Sequence, residues 1–496
     1  MDNRIKRITK GQYFREDLIF EKSVHGRNAY SLPNDLGTIP LKIESEFVRE
    51  KNDLNLPEVS EVDVVRHFTR LSQWNYGIDV NMYPLGSCTM KYNPRINEEV
   101  ANHPSFVDIH PELPLNYSQG SLAIIYHLQE LLKSLTDMPG ITLQPAAGAH
   151  GELTGVFMIR NYFLDKNESR PIILTTDSAH GTNPASCSMG GFQVQVIPSD
   201  KDGLLDMENF KKSLNKEVAA LMITNPSTLG IFEENIVEIA DMLHKNGSLL
   251  YMDGANYNAI VGKVSLGRMG IDISQLNLHK TFSTPHGGGG PGSGVIVASE
   301  RIMDYLPSPI VVQDSQDLEE YALETPKRSI GRMKAGYGHF GMIIRALTYI
   351  LTYGNKIHEV AENAVLNANI IRKELKEKFK LASEKDMYHE VVFSDLNQKP
   401  TGFSTLQLAK TLIDYGYHPP TTYFPLSVSG ALMIEPTETE SPEEIKNFCK
   451  VMLEIAERME KGDESLKQSP QTTFVGKLDE VTAARNPRLN YFYKGK

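Results

Sequence analysis

Three cysteines in 496 residues, Cys88, Cys187 and Cys449, are too few and too far apart for a disulfide framework, so the expected compartment is the reducing cytoplasm. Basic charge is also in deficit. Lys and Arg number 51 against 62 Asp and Glu, a formal net charge of -11, and the few basic runs are scattered, which argues against a nucleic-acid partner. Long apolar runs are missing too: no window reaches the roughly 18 apolar residues that a membrane helix needs. The opening MDNRIKRITKGQYFREDLIF carries charge throughout, where a signal peptide needs an apolar stretch. What is present, 40% hydrophobic and 23% charged residues, is the composition of a globular chain long enough for two or three domains.

Residues 1–115 are rich in Pro, Asn and charge, with one amphipathic stretch at 62–71, and read as an arm that packs on something else. Over 116–365 the pattern changes to short apolar runs alternating with helical segments. The runs are Ile172-Ile173-Leu174, residues 194–197, 219–223 and 249–252, and Val295-Ile296-Val297. Strands apolar on both faces that alternate with helices imply a large α/β domain with a mostly parallel sheet. Residues 366–465 read as a smaller C-terminal α+β domain: a linking helix over 366–379, an extended 390–393, a helix over 404–415 and a capped helix opening at Ser441-Pro442-Glu443-Glu444. Residues 466–496 read as a polar tail, and there is no internal repeat.

Parallel sheets place ligands at the carboxyl ends of their strands, and the chemistry-bearing motifs fall there. Lys280 lies in Asn277-Leu278-His279-Lys280-Thr281-Phe282, 27 positions after Asp253, just ahead of the glycine-rich 287–294. Asp253 ends an apolar strand, where an unpaired carboxylate costs several kcal/mol and calls for a cationic partner. A lysine that forms a Schiff base with an aldehyde, and a buried acid that keeps a ring nitrogen protonated, are what pyridoxal phosphate requires. Ala255 is small enough for a flat ring to lie against it. For the glycine run a flexible surface loop is the alternative, and for Asp253 a helix cap.

Residues 144–155, QPAAGAHGELTG, form a small-residue turn opening a helix, whose N-H groups suit a phosphate, although a plain tight turn reads the same way. Thr228, in the turn Asn225-Pro226-Ser227-Thr228, could add a hydroxyl. His180, in Asp177-Ser178-Ala179-His180-Gly181-Thr182, could stack on the ring and transfer protons, or be structural. His279 and His286 have no third ligand at matching spacing, so no metal site is expected. No nucleotide P-loop or nicotinamide fingerprint is present.

Four motifs in order, MYPLGSCTMKYNP at 82–94, QPAAGAHGE at 144–152, AHGTNPAS at 179–186 and NLHKTF at 277–282, resemble the P-protein of the glycine cleavage system, glycine dehydrogenase (decarboxylating). The likeness runs from about Asp35 to Arg485. Many members are about twice this length, so the chain resembles the second half, subunit 2 of the split form. The resemblance implies fold type I of the pyridoxal-phosphate-dependent transferases. By the same likeness Lys280, Asp253 and His180 are catalytic, and Ala149, His150, Gly151, Thr228 and His279 surround the phosphate. It further implies subunit 1 as a partner in an α2β2 assembly, glycine as substrate and lipoylated H-protein as acceptor. A decarboxylase of the same fold releasing a free amine, and a non-catalytic scaffold half, are the rival readings.

Overall fold

Strands form where the sequence is apolar on both faces. In the computed structural model, which describes residues 14–28, 43–49, 54–286, 292–314, 316 and 320–492, the central sheet has seven strands. They are β1 Gly140–Thr142, β2 Ile172–Thr176, β3 Gln193–Ile197, β4 Val218–Thr224, β5 Leu249–Gly254, β6 Ile273–Asn277 and β7 Gly294–Ala298. Their spatial order is β1-β7-β6-β5-β4-β2-β3, and all but β7 run the same way; β7 is antiparallel to β6 and to β1. Alternate side chains feed two cores. Leu221, Ile223, Leu250 and Met252 enter one, while Ala220, Met222, Leu249 and Tyr251 enter the other. Each fully buried Leu, Ile or Met contributes about 1.5–3 kcal/mol, so this layer dominates the stability.

Helix Gly148–Asp165 lies close against this sheet because its inner face is glycine. A Cβ on Gly148 would meet Asn277 Oδ1 at 2.6 Å, on Gly151 would meet Gln275 Cβ at 2.9 Å, and on Gly155 would meet the Tyr251 ring at 2.3 Å. The expected strands are present, but the sequence reading missed β1 and β6. β6 carries Ser274, Gln275 and Asn277 among its apolar residues, which hid a fully buried strand leading into Lys280.

The same unit, Met82–Ala409 with His418–Asp463, holds two smaller sheets. One pairs β8 Ile310–Gln313 with β9 Tyr321–Glu324. The other is antiparallel, in the order β10-β11-β13-β12, from Lys380–Leu381, Val391–Ser394, Leu432–Ile434 and Thr421–Thr422. Beside it, helix Pro442–Glu460 is capped by Ser441, whose Oγ accepts from the Glu444 N-H at 3.1 Å. The linking helix spans His358–Leu375, eight residues earlier than the expected start at 366, and the chain turns before Phe379, which packs on Phe393 instead of continuing the helix. The contacts also do not divide at residue 115. They divide at Met82, because 82–94 is tied into this unit: Leu85 bridges to Ile434, and Thr89 is held by Glu435.

The other unit comprises Met1–Asn81, Lys410–Tyr417 and Glu464–Lys496. Its helix Glu61–Ser72 is closed by a reciprocal Ser60–Asp63 capping box. Segment 466–496 is more than a polar tail, since it contains helix Glu480–Arg485, and Tyr491 stacks on Phe20 at 4.6 Å. Glu16, 8% exposed, receives Lys22 at 2.8 Å, His67 at 2.9 Å and Arg70 at 3.2 Å. Burial alone would raise its carboxyl, but these three donors outweigh it and hold it down to about 2. A depressed folded value means stability that is present above the ordinary carboxylate range and lost as pH falls toward 2. Glu16→Gln is therefore expected to lower the melting temperature at pH 7 and to lose that effect near pH 2; an equal loss at both would remove the ion cluster as its cause. Among the described residues no helix is long and apolar enough to cross a membrane.

Candidate active site

β5 and β6 deliver the two central groups at their carboxyl ends. Asp253 sits opposite Gln275 in the β5–β6 register, and Lys280 follows in the turn after β6. Asp253 is 1% exposed. Its Oδ1 accepts from the Ala255 N-H at 2.9 Å and from Gln275 Nε2; its Oδ2 accepts from Asn183 Nδ2 at 3.1 Å and Thr224 Oγ1 at 3.4 Å. All of these donors are neutral. A buried carboxylate surrounded by neutral donors retains an unbalanced charge, which suits the protonated nitrogen of a ring in front of it.

Lys280 Nζ, half-buried, donates to the Ser87 carbonyl at 2.7 Å. His180 lies on the exposed side, its Nδ1 at 2.7 Å from Thr182 Oγ1, and its ring edge-on to Phe424 at 6.1 Å. Burial first, and the charge of Lys280, hold its pKa below the usual imidazole range, against the opposing pull of Asp253. A neutral ring with one committed nitrogen can accept or pass a proton at the other.

The residues expected to surround a phosphate each follow a strand end, with differing availability. Ala149, His150 and Gly151 form the first turn of helix Gly148–Asp165, which has no side-chain cap, so its N-H groups are positioned for an anion. The His150 ring folds back, its Nδ1 accepting from the Ala146 N-H at 3.1 Å. The Thr228 hydroxyl donates to the Ser178 carbonyl at 2.7 Å, bracing two strand-end turns. Its proton is thus committed within the protein. His279 accepts at Nδ1 from the Ser293 N-H at 3.2 Å, and burial first, then His286 and Lys280, push it down to about 4. His286 donates from Nε2 to the His279 carbonyl at 2.5 Å, so the two rings do not offer a metal a common face. Most of the glycine-rich run, residues 287–291, lies outside the described residues.

Sequence reasoning missed three features. Glu152, buried, accepts from Thr182 Oγ1 at 2.9 Å and is pushed up to about 8 by burial and then by the charge of Asp253. Asn183 and Gln275 hold Asp253 from 70 and 22 positions away, spacings that carry no local signal. Buried polar atoms without a protein partner also line these elements: Oδ1 of Asn183 and Asn277 and the hydroxyls of Thr281, Thr284 and Ser293. Such atoms are rare in a finished interior and fit a wall built for a polar ligand. Arg345, a candidate for a substrate carboxylate, is instead engaged by Glu98 through two bonds of 2.8 and 2.7 Å, and Arg332 is exposed.

A mostly parallel sheet with a lysine and a buried aspartate at adjacent strand ends defines a fold type I enzyme, and residues 155–312 match the class-V aminotransferase family. Among solved structures, the fold is similar to glycine decarboxylase (P-protein) of the glycine cleavage system, with a TM-score of 0.70, 18% identity, and 84% of this chain and 93% of that one covered. A NifS-like protein is also similar, with a TM-score of 0.60, 16% identity, and 76% and 99% covered. Residues 360–474 match the glycine dehydrogenase C-terminal domain family. The relative from Alkaliphilus oremlandii named probable glycine dehydrogenase (decarboxylating) subunit 2 is 52% identical over 95% of this chain and 97% of its own. The relative of that name from Aquifex aeolicus is 50% identical over 96% and 99%. The chain belongs to the glycine dehydrogenase (decarboxylating) subunit 2 family.

Proposed function

We propose that the chain is the pyridoxal-phosphate-binding subunit of a glycine-cleaving enzyme. It would act in the cytoplasm with a separately encoded subunit 1, in an α2β2 assembly, and pass an aminomethyl group to the lipoyl arm of H-protein. The carrying observation is Asp253, 1% exposed and held by neutral donors alone, at the strand end beside the one that leads to Lys280. The relatives' names supply glycine and the subunit character.

Pyridoxal phosphate, when bound, supplies an electron sink for the pair left on the α-carbon as carbon dioxide departs. The rest falls to side chains. Lys280 Nζ is the amine for the aldehyde. Asp253 would keep a proton on the ring nitrogen, and the small Ala255 would leave room for the ring. The first turn at Ala149, His150 and Gly151, with His279, would hold the phosphate end, while Thr228, its proton committed to the Ser178 carbonyl, would brace the turn instead of donating to the phosphate. His180 is placed to stack on the ring and move protons. In the net reaction the α-carbon bonds to one lipoyl sulfur and the other leaves as a thiol, so the disulfide is the oxidant.

The chain alone is expected to show little glycine–carbon dioxide exchange, and to gain full exchange with subunit 1 and lipoylated H-protein. Full exchange by the chain alone would refute the two-subunit reading. A free amine released without H-protein would favour a simple amino-acid decarboxylase. A scaffold role is disfavoured, since a degenerate half has no use for a buried aspartate beside a free lysine.

A further inference from the structure

Two buried acids stand beside this site without an assigned role. β11 and β13 are antiparallel with Val391 opposite Ile434, so the next residues, Glu390 and Glu435, face each other across the strands. Both are fully buried. With buried His389 they form a group whose ligating atoms lie within 4.8 Å of one another. The Ser87 N-H donates to Glu390 Oε2 at 2.8 Å. Thr89 donates to Glu435 through its N-H at 3.0 Å and its hydroxyl at 2.5 Å. Glu390 Oε1 has no hydrogen-bond partner, and neither has either ring nitrogen of His389, whose Nε2 is 3.5 Å from that oxygen.

Two ionised carboxylates opposed across strands repel, and each loses hydration worth several kcal/mol. Of the cations around them, Lys91 reaches Glu435 only, where the charge of Glu438 works against it, and Lys280 reaches both acids. Lys280 acts on both acids and is linked to Glu390 through the Ser87 peptide, whose carbonyl takes its proton donor and whose N-H goes to the acid. Lys91 is committed to Glu438 at 2.7 Å. His389 is pushed down to about 3 by burial and then Lys280, and so stays neutral; burial likewise keeps Cys88 a thiol.

We propose that Glu390 and Glu435 hold one proton between them, leaving a single negative charge opposite Lys280, and that they act as positioning residues through strap 87–89. Ser87 (φ 65°) and Thr89 (φ 45°) are left-handed although neither is glycine, so the strap is strained and needs those carboxylate anchors to present the Ser87 carbonyl to Lys280. Burial first, then Glu435, raises the Glu390 carboxyl well above the usual range, and burial raises Glu435, while Lys280 opposes both. The effect on Lys280 rests on the proposed function; the shared proton does not.

The full chain without pyridoxal phosphate should therefore show infrared absorption from protonated carboxyls at neutral pH that Glu390→Gln reduces, Glu152 still contributing, and that Glu152→Gln leaves in part. A raised folded pKa gives stability that is present at low pH and lost as pH rises, so the melting temperature should fall with rising pH less steeply in Glu390→Gln. If Glu390→Gln fails to fold, the share of the band that Glu435→Gln removes decides. Its absence, or a chelatable divalent cation at the pair, overturns the shared proton. In Glu390→Gln/Glu435→Gln the amine of Lys280 should be labelled about tenfold faster at a fixed neutral pH, since an opposing charge is gone; an unchanged rate overturns the counter-charge role. Failure of the unsubstituted assembly to take up pyridoxal phosphate would count against the proposed function instead, because neither readout uses the cofactor.

Discussion

Lys280→Ala is expected to lower turnover of the assembled enzyme by about 10^4-fold, the upper range for a side chain that transfers protons at the reacting centre, and to abolish the absorption of an imine between protein and cofactor in the absence of added amine. The fold should survive. Lys280 is half-buried, and its amine makes a single hydrogen bond, to the Ser87 carbonyl, so removing it opens no apolar core. Loss of activity with the fold retained but the melting temperature lowered is thus the expected pair of results, since the charge on Glu390 and Glu435 loses its counter-charge. Borohydride reduction and peptide mapping of the unsubstituted protein should place the label at position 280. A label on another lysine, or activity retained by the alanine variant, would exclude the site as described.

Asp253→Ala is expected to reduce kcat by about 10^2–10^3-fold, the usual cost of removing one preorganised electrostatic group. A second readout does not depend on catalysis. The charge of Asp253 is the next cause after burial for the rise of Glu152 to about 8, so the substitution should bring Glu152 down while burial still holds it above a free carboxylate. For an acid with a raised folded value, stability declines as pH rises and the decline ends at the folded pKa. That end point, seen in melting temperature against pH, should move below 8 in Asp253→Ala. Unchanged kcat would remove Asp253 from the site, and an unmoved end point would mean that burial alone sets Glu152.

The parts of this site legible in the sequence are those whose partners are local. β2, β4 and β5 announce themselves as apolar runs, Asp253 sits at the end of one of them, and Lys280 is legible from its own local motif ahead of the glycine run. β6 escaped because Ser274, Gln275 and Asn277 interrupt its apolar pattern, each for a reason set by a neighbouring element: Gln275 reaches Asp253, and Asn277 lies under Gly148. Glu390 and Glu435 were invisible for the same reason. Their pairing depends on the β11–β13 register, and their meeting with 87–89 on a chain separation of about 300 residues. The expected helix over 366–379 leaves out the earlier turns of helix His358–Leu375, which Val360, Ala361 and Ala364 bury.

The glycines at 148, 151 and 155 give helix Gly148–Asp165 a flat underside, so the gap between its first turn and the end of β6 is fixed by missing atoms. A methyl group at any of them would act as a shim, moving the anion-binding turn away from the amine at position 280. On the proposed placement of pyridoxal phosphate, the helix would set the span from phosphate to aldehyde like the jaw of a caliper. Larger residues on that face should select against a cofactor of the natural length before they unfold the protein.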